Sequence, residues 1–210
     1  MIKLTIDGKQ IEALEGEKVL WAALDNGIYI PHLCALREAE EPYAGCRLCF
    51  VEIEGREGLV TACTEPVAEG MVVHTSTERV KRIVHTVFEL LLASHPVDCA
   101  HCLRSGNCEL QKLAKHLGIK LKSRRFRQLL REFPVDDSHP TILLDPSKCV
   151  LCHKCIWMCR QQGIGVLGYI SRGFERRIGT FGDVPLAEAG CDGCQVCAEV
   201  CPVGALVVKR

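Results

Sequence analysis

Fifteen of the 210 residues are cysteine, and they fall into four spaced groups. Cys34, Cys46, Cys49 and Cys63 form the first. Cys99, Cys102 and Cys108 form the second, with His95 just upstream. Cys149, Cys152, Cys155 and Cys159 form the third, and Cys191, Cys194, Cys197 and Cys201 the fourth. Thiolate is a soft donor, and tetrahedral sulfur sites suit zinc or iron–sulfur centres equally. Four sites of four ligands are filled by the fifteen cysteines plus His95, with no cysteine left over. Disulfides are a poorer expectation. Met1 opens straight into an alternating strand pattern, with no basic segment leading into an apolar one, so no secretory signal is expected. Outside an oxidising compartment, cysteines at such spacings are metal ligands.

The last two groups both read C-x2-C-x2-C-x3-C, and Cys201 is followed by Pro202. Zinc sites usually pair two C-x2-C knuckles across a loop, whereas a triple run wraps three corners of one cubane. The run resembles that of bacterial two-cluster ferredoxins, in which the fourth cysteine of each run serves the other cluster. The resemblance implies that Cys149, Cys152, Cys155 and Cys201 hold one [4Fe–4S] cluster, and Cys159, Cys191, Cys194 and Cys197 another. Arg160 stands where the first run would usually continue with proline, which loosens a turn but removes no ligand. The 31 residues between Cys159 and Cys191 include Gly165–Phe174, G-V-L-G-Y-I-S-R-G-F, which resembles the corresponding insert of [FeFe]-hydrogenases. Gly163 to Gly168 also matches G-x-G-x-x-G, with Glu188 about 20 residues on. A dinucleotide site needs a strand before that motif and a helix after it, and here a cluster ligand precedes it. A glycine-rich hairpin beside a cluster is the better reading.

The elements that position the first group are legible from periodicity. Ile2, Leu4 and Ile6 alternate with polar residues, Asp7-Gly8 signals a hairpin turn, and Gln10–Leu14 is the returning strand. Val19, Leu20, Ala23 and Leu24 recur at helical spacing until Asn26-Gly27. Phe50–Ile53 and Leu59–Ala62 read as two further strands. This order resembles the β-grasp of [2Fe–2S] ferredoxins, and the C-x11-C-x2-C-x13-C spacing resembles the ferredoxin-like domain of respiratory complex I and of [FeFe]-hydrogenases. Cys34, Cys46, Cys49 and Cys63 are then [2Fe–2S] ligands.

In the middle, Val80, Ile83, Val84, Val87, Leu90 and Leu91 make an apolar helix face, and Pro96 disfavours helix at His95. The H-x3-C-x2-C-x5-C that follows resembles the His/Cys3 [4Fe–4S] domain of the same two families. A helix-end histidine is the bland reading of His95, but three cysteines leave one cubane corner open, so His95 is taken as its ligand with Cys99, Cys102 and Cys108. His101, between two ligands, is expected to hydrogen-bond to the ligand set. His32 and His153 lie near groups that are already full. Lys120, Lys122, Arg124, Arg125, Arg127 and Arg131 form a basic run, read as a solvated linker in preference to a docking patch, with Phe126, Leu129 and Leu130 partly packed.

Lys+Arg equals Asp+Glu, so nothing suggests nucleic acid. No apolar stretch reaches the length of a membrane span, and a cytoplasmic protein is expected. The whole chain resembles the N-terminal electron-transfer region of [FeFe]-hydrogenases and of the largest peripheral-arm subunit of complex I, and the small diaphorase-side subunit of NAD-linked hydrogenases. The resemblance implies an α+β chain in three parts. Residues 1–75 are a β-grasp [2Fe–2S] ferredoxin domain, 76–140 a helical His/Cys3 [4Fe–4S] domain and 141–210 a 2[4Fe–4S] ferredoxin domain, with one [2Fe–2S] and three [4Fe–4S] clusters in all. It implies an electron relay, without catalytic residues of its own, in a hetero-oligomer. Electrons would pass singly between a flavin- and NAD(P)H-handling diaphorase subunit and a catalytic subunit, a nickel–iron hydrogenase above all. A relay of an NAD-linked formate dehydrogenase or a complex I-like enzyme is the alternative in the same class. A zinc-stapled scaffold is the alternative in another.

Overall fold

The computed structural model describes residues 1–122 and 125–209, and the chain divides into two compact units, Met1–Phe88 and Glu89–Arg210. In the first, β1 (Ile2–Ile6) and β2 (Lys9–Ala13) form the expected hairpin, with Ile6 opposite Lys9. Asp7 and Gly8 both take positive φ, 49° and 79°, as a two-residue turn compatible with strand twist requires. α1 (Val19–Asp25) follows, then β3 (Phe50–Ile53), β4 (Val60–Thr61) and β5 (Val72–His74). The five strands form one sheet in the order β2-β1-β5-β3-β4, with β1 and β5 parallel. β5 is too short to betray itself by alternation, yet it occupies the centre of the sheet. Leu4, Ile6, Val51, Ile53 and Val73 from the strands and Val19, Leu20 and Ala23 from α1 form a shared core. Sheet and helix thus form the β-grasp arrangement.

α2 (Glu78–Ala93) carries buried Val80, Val84, Phe88 and Leu92, a stripe at i, i+4 spacing, and ends just before Ser94-His95-Pro96. In the second unit α3 (Glu109–Leu117) is stopped by Gly118 at φ 65°. β6 (Ile142–Leu144) pairs antiparallel with β9 (Leu206–Val208), which brings the two ends of the last cysteine region together. Between them lie α4 (Lys154–Gln161), the hairpin of β7 (Leu167–Ile170) and β8 (Arg177–Thr180), and the single-turn α5 (Val196–Glu199). Among the described residues no helix is long and apolar enough to cross a membrane.

Candidate cluster-binding sites

None of the fifteen cysteines is in a disulfide. Three of the loops that carry them share a backbone device. Arg47 lies between Cys46 and Cys49 with φ 56°, Leu151 between Cys149 and Cys152 with φ 54°, and Gly193 between Cys191 and Cys194 with φ 77°. His153 and Gln195, one residue after Cys152 and Cys194, repeat it at 71° and 66°. Left-handed backbone is costly for residues with a side chain and persists where the surroundings demand it. Here it falls at matching places between successive cysteines and turns each loop back on itself. Amides turn inward with it: Cys46 N–H donates to Cys34 Sγ at 3.4 Å, and Leu151 N–H to Cys149 Sγ at 3.3 Å. Leu151/Gly193 and His153/Gln195 are equivalent positions of two copies of one loop, a backbone repeat that only the cysteines announced in the sequence.

In the first unit Cys34, Cys46, Cys49 and Cys63 are all buried. Cys49 leads into β3 and Cys63 leaves β4, and Ala62 N–H donates to the Cys49 carbonyl at 2.8 Å. A sulfur–sulfur hydrogen bond to Cys46, then burial, pushes the Cys34 thiol up, and Cys49 is pushed up in the same way by Cys63 and burial. Cys46 and Cys63, receiving those hydrogen bonds, are held down. Metal binding needs all four as thiolates, so it must overcome the burial and hydrogen bonding that hold Cys34 and Cys49 up.

His95, Cys99, Cys102 and Cys108 line one cavity. His95 Nδ1 is 3.1 Å from the Lys148 carbonyl oxygen. A carbonyl only accepts, so Nδ1 carries the proton and Nε2 keeps its lone pair, the arrangement of a metal-bound imidazole. Burial lowers the His95 pKa to about 4, which keeps the ring neutral. A β-carbon on Gly204 would sit 2.8 Å from Cys102 Sγ, so glycine there leaves the sulfur its room. His101 differs from expectation: it is exposed, and its Nδ1 meets the Asp98 carboxylate at 2.8 Å and not the ligand set.

Cys149, Cys152, Cys155 and Cys201 line another cavity. Burial pushes their thiols up, Cys149 to about 11 and Cys152 to about 12. Around Cys197, pushed up to about 12 by burial, gather Cys191, Cys159 and Cys194. Cys155 and Cys159, one turn apart on α4, thus face different sets. The second set is more open, with Cys194 exposed and its N–H donating to Asp192 Oδ1 at 2.9 Å.

The donor sets suit clusters. Among the described residues no three His, Cys, Asp or Glu side chains converge closely enough to hold a single metal ion. Soft sulfur donors set around cavities fit separate iron corners better than one tetrahedral zinc. The glycine motif at Gly163–Gly168 runs from the loop after α4 into β7, the reverse of the strand–loop–helix order a dinucleotide site needs. In the basic run Arg125 pairs with Glu89 at 3.0 Å, Leu129 and Leu130 are exposed where packing was expected, and Arg124 lies outside the described residues. Arg131 is buried, and sequence reasoning missed it because a run of charges reads as a solvated surface.

Fold and site together define an iron–sulfur protein of modular build. The 2Fe-2S iron–sulfur cluster binding domain family matches residues 1–78, the NADH-ubiquinone oxidoreductase-G iron–sulfur binding region 85–122, and the 4Fe-4S dicluster domain 148–205. The chain is 40% identical to the HndD subunit of the NADP-reducing hydrogenase of Solidesulfovibrio fructosivorans and 39% identical to an NADH-quinone oxidoreductase subunit of Rhizobium meliloti, over 99% of its own length in both. It spans only 36% and 24% of those two proteins. A chain in the crystal structure of an NAD+-reducing [NiFe]-hydrogenase in the H2-reduced state superimposes with a TM-score of 0.86 at 34% identity, covering 100% of this chain and 88% of that one. The chain belongs to the family of iron–sulfur chains that this hydrogenase chain represents. Its relatives are subunits of oxidoreductase complexes.

Proposed function

We propose that this chain is the iron–sulfur relay subunit of a multisubunit NAD(P)-linked hydrogenase. The observation that supports it best is the likeness, along its whole length, to a chain of an NAD+-reducing [NiFe]-hydrogenase. In this reading Cys34, Cys46, Cys49 and Cys63 hold a [2Fe–2S] cluster, and three [4Fe–4S] clusters occupy the remaining sets. One is bound by His95, Cys99, Cys102 and Cys108, one by Cys149, Cys152, Cys155 and Cys201, and one by Cys159, Cys191, Cys194 and Cys197. The modules are residues 1–75, 76–140 and 141–210. Bound iron–sulfur clusters exchange one electron at a time, whereas a nicotinamide exchanges a hydride. The chain's own residues bind, orient and insulate. The left-handed loops aim the thiolates, the amides of Cys46 and Leu151 donate to ligand sulfur, and Lys148 fixes the His95 tautomer. None of them is a catalytic acid, base or nucleophile in this reading. The partners are a flavin-bearing NAD(P)H-handling subunit and a nickel–iron catalytic subunit, in the cytoplasm.

The relative in the NADH-quinone oxidoreductase family favours a complex I-like relay as the second reading, and a formate dehydrogenase relay belongs to the same class. Anaerobic purification with the co-purifying subunits tests the proposal. The expected result is a brown complex that bleaches with dithionite and carries about 14 iron atoms on this chain, from one two-iron and three four-iron clusters. A nickel-free partner set would move the assignment to the second reading. A colourless, zinc-loaded chain would leave only the scaffold.

A further inference from the structure

The cysteine sets leave one buried charge unexplained. Arg131 is 9% exposed. Its Nη1 donates to the Arg176 carbonyl at 2.8 Å and its Nη2 to the Cys149 carbonyl at 2.7 Å, while Nε is buried with no hydrogen-bond partner. No ion pair joins Arg131 to a described carboxylate; Asp145 pairs with Lys148 at 2.8 Å, and Asp183 with Arg177. A guanidinium cannot shed its charge, and burying one against carbonyl dipoles alone is unfavourable. A negative group must therefore face it in the working protein. Arg131 holds the backbone of Cys149, the first residue of a buried four-thiol set. Its field acts on the Cys149 thiol against the effect of burial, and it reaches His95 as well.

We propose that Arg131 is the fixed countercharge of the site formed by Cys149, Cys152, Cys155 and Cys201, a positioning residue that anchors the Cys149 loop and favours the more negative charge state of the cluster held there. The inference rests on the reading that these four cysteines bind a [4Fe–4S] cluster. Four thiolates around a cubane carry net negative charge, and taking up one electron makes that charge more negative by one unit. A cation nearby in a poorly solvated interior stabilises the reduced state over the oxidised one and raises the reduction potential. Lysine could supply the charge but not the fork that bonds two carbonyls at once, and glutamine could supply a bond but not the charge.

The test is an anaerobic EPR-monitored redox titration of the full chain, with iron analysis, for the parent, Arg131→Lys and Arg131→Gln. In Arg131→Gln one four-iron signal should titrate at a lower potential, its reduced-to-oxidised ratio at fixed potential falling on the order of tenfold, as for one unit charge within ~10 Å at an effective dielectric of ~20. The signal of the site containing His95 should move the same way but less, and Arg131→Lys should restore most of the shift. Full iron content with unmoved potentials in Arg131→Gln would overturn the proposal, and so would equal loss of iron in both variants, which would mark Arg131 as a packing residue only. The cluster reading is checked apart from this by Cys149→Ser: if that change leaves every four-iron signal as it was, the ligand assignment fails, whatever Arg131 does.

Discussion

Met1–Phe88 and Glu89–Arg210 place cysteines in opposite structural situations. The first unit would have a core without them: a five-stranded sheet closes over α1, and Ile6, Val19, Leu20, Val51 and Val73 are completely buried. Its four cysteines are buried as well, Cys49 and Cys63 within that core, but aliphatic side chains make up most of it. Among its described residues the second unit has two two-stranded sheets and helices of at most nine residues beyond the end of α2. A lone two-stranded hairpin is marginal in water. There Cys108, Cys149, Cys152, Cys155, Cys159, Cys197 and Cys201 are themselves among the buried residues, beside a thin set of aliphatics such as Leu113, Ile156 and Ile178. Where apolar burial is sparse, metal ligation must supply folding free energy. In the proposed reading one unit carries its cluster ligands on a core of its own, and the other is held by them.

Iron removal gives the largest effect expected from this contrast. Anaerobic chelation should collapse the second unit, starting with 149–201, whose ligand sets tie together both ends of that stretch. The sheet of the first unit should survive. Hydrogen exchange followed by mass spectrometry resolves the two. Amide protection at β6 and β9 that persists after complete iron loss would break the comparison.

A core substitution gives the reverse contrast. Leu20→Ala removes a completely buried side chain from α1 and should cost about 3 kcal/mol. That loss should be nearly the same with and without iron, because aliphatic side chains and not Cys49 and Cys63 make up most of the core to which Leu20 belongs. Chemical denaturation of residues 1–88, loaded and iron-free, measures it, provided the isolated unit folds. A cost that appears only in the loaded form would mean that the [2Fe–2S] ligands, and not the aliphatic core, organise this unit.

The same contrast explains what could be read in advance. The β1–β2 hairpin was legible because Asp7-Gly8 sits between two alternating runs, and α1 because apolar spacing and Asn26-Gly27 agree. β3 was legible too, with boundaries matching Phe50–Ile53. β5 was not, since three residues are too few to show alternation and acquire their partners only from β1 and β3. In the second unit the spacing announced the proposed ligands, but not the residues packed around them. Arg131 looked like one charge in a solvated run, and only the fold shows it beneath the Cys149 loop. Gly204 reads as an ordinary turn residue after Cys-Pro, and its close approach to the sequence-distant Cys102 is tertiary. His101 misled in the opposite direction, because proximity in sequence to two ligands does not place its ring near them.

Gly204 sharpens the comparison at the level of one site. Alanine there would put a β-carbon 2.8 Å from Cys102 Sγ, closer than such atoms can sit. Gly204→Ala should therefore lose the cluster of the site containing His95 in preference to the others, lowering iron by about four atoms per chain if that site holds a cubane. The [2Fe–2S] signal of the first unit should not change. Iron and acid-labile sulfide analysis with EPR checks this, and a uniform loss of all signals would show that the position matters for global folding and not for one sulfur.

His95 tests the smallest effect, in which a ligand is exchanged without removing the site. With Nδ1 bonded to the Lys148 carbonyl and burial holding the pKa at about 4, the ring presents a neutral nitrogen at physiological pH. An imidazole in place of a thiolate leaves its cluster one unit less negative, which favours the reduced form, as histidine ligation does in Rieske centres. His95→Cys should therefore keep a four-iron cluster but lower its potential. His95→Ala should leave an open iron corner, prone to oxygen damage or conversion to a three-iron form. Iron on Nε2 leaves that nitrogen no lone pair for a proton, and Nδ1 is tied to the Lys148 carbonyl, so the potential of the parent cluster should not respond to pH between 7 and 5 through this ring. Redox titration of the three proteins at two pH values separates the possibilities. If His95→Ala leaves every signal and potential in place, His95 is an ordinary helix-end histidine, and the fourth corner of the Cys99, Cys102 and Cys108 site must be sought elsewhere.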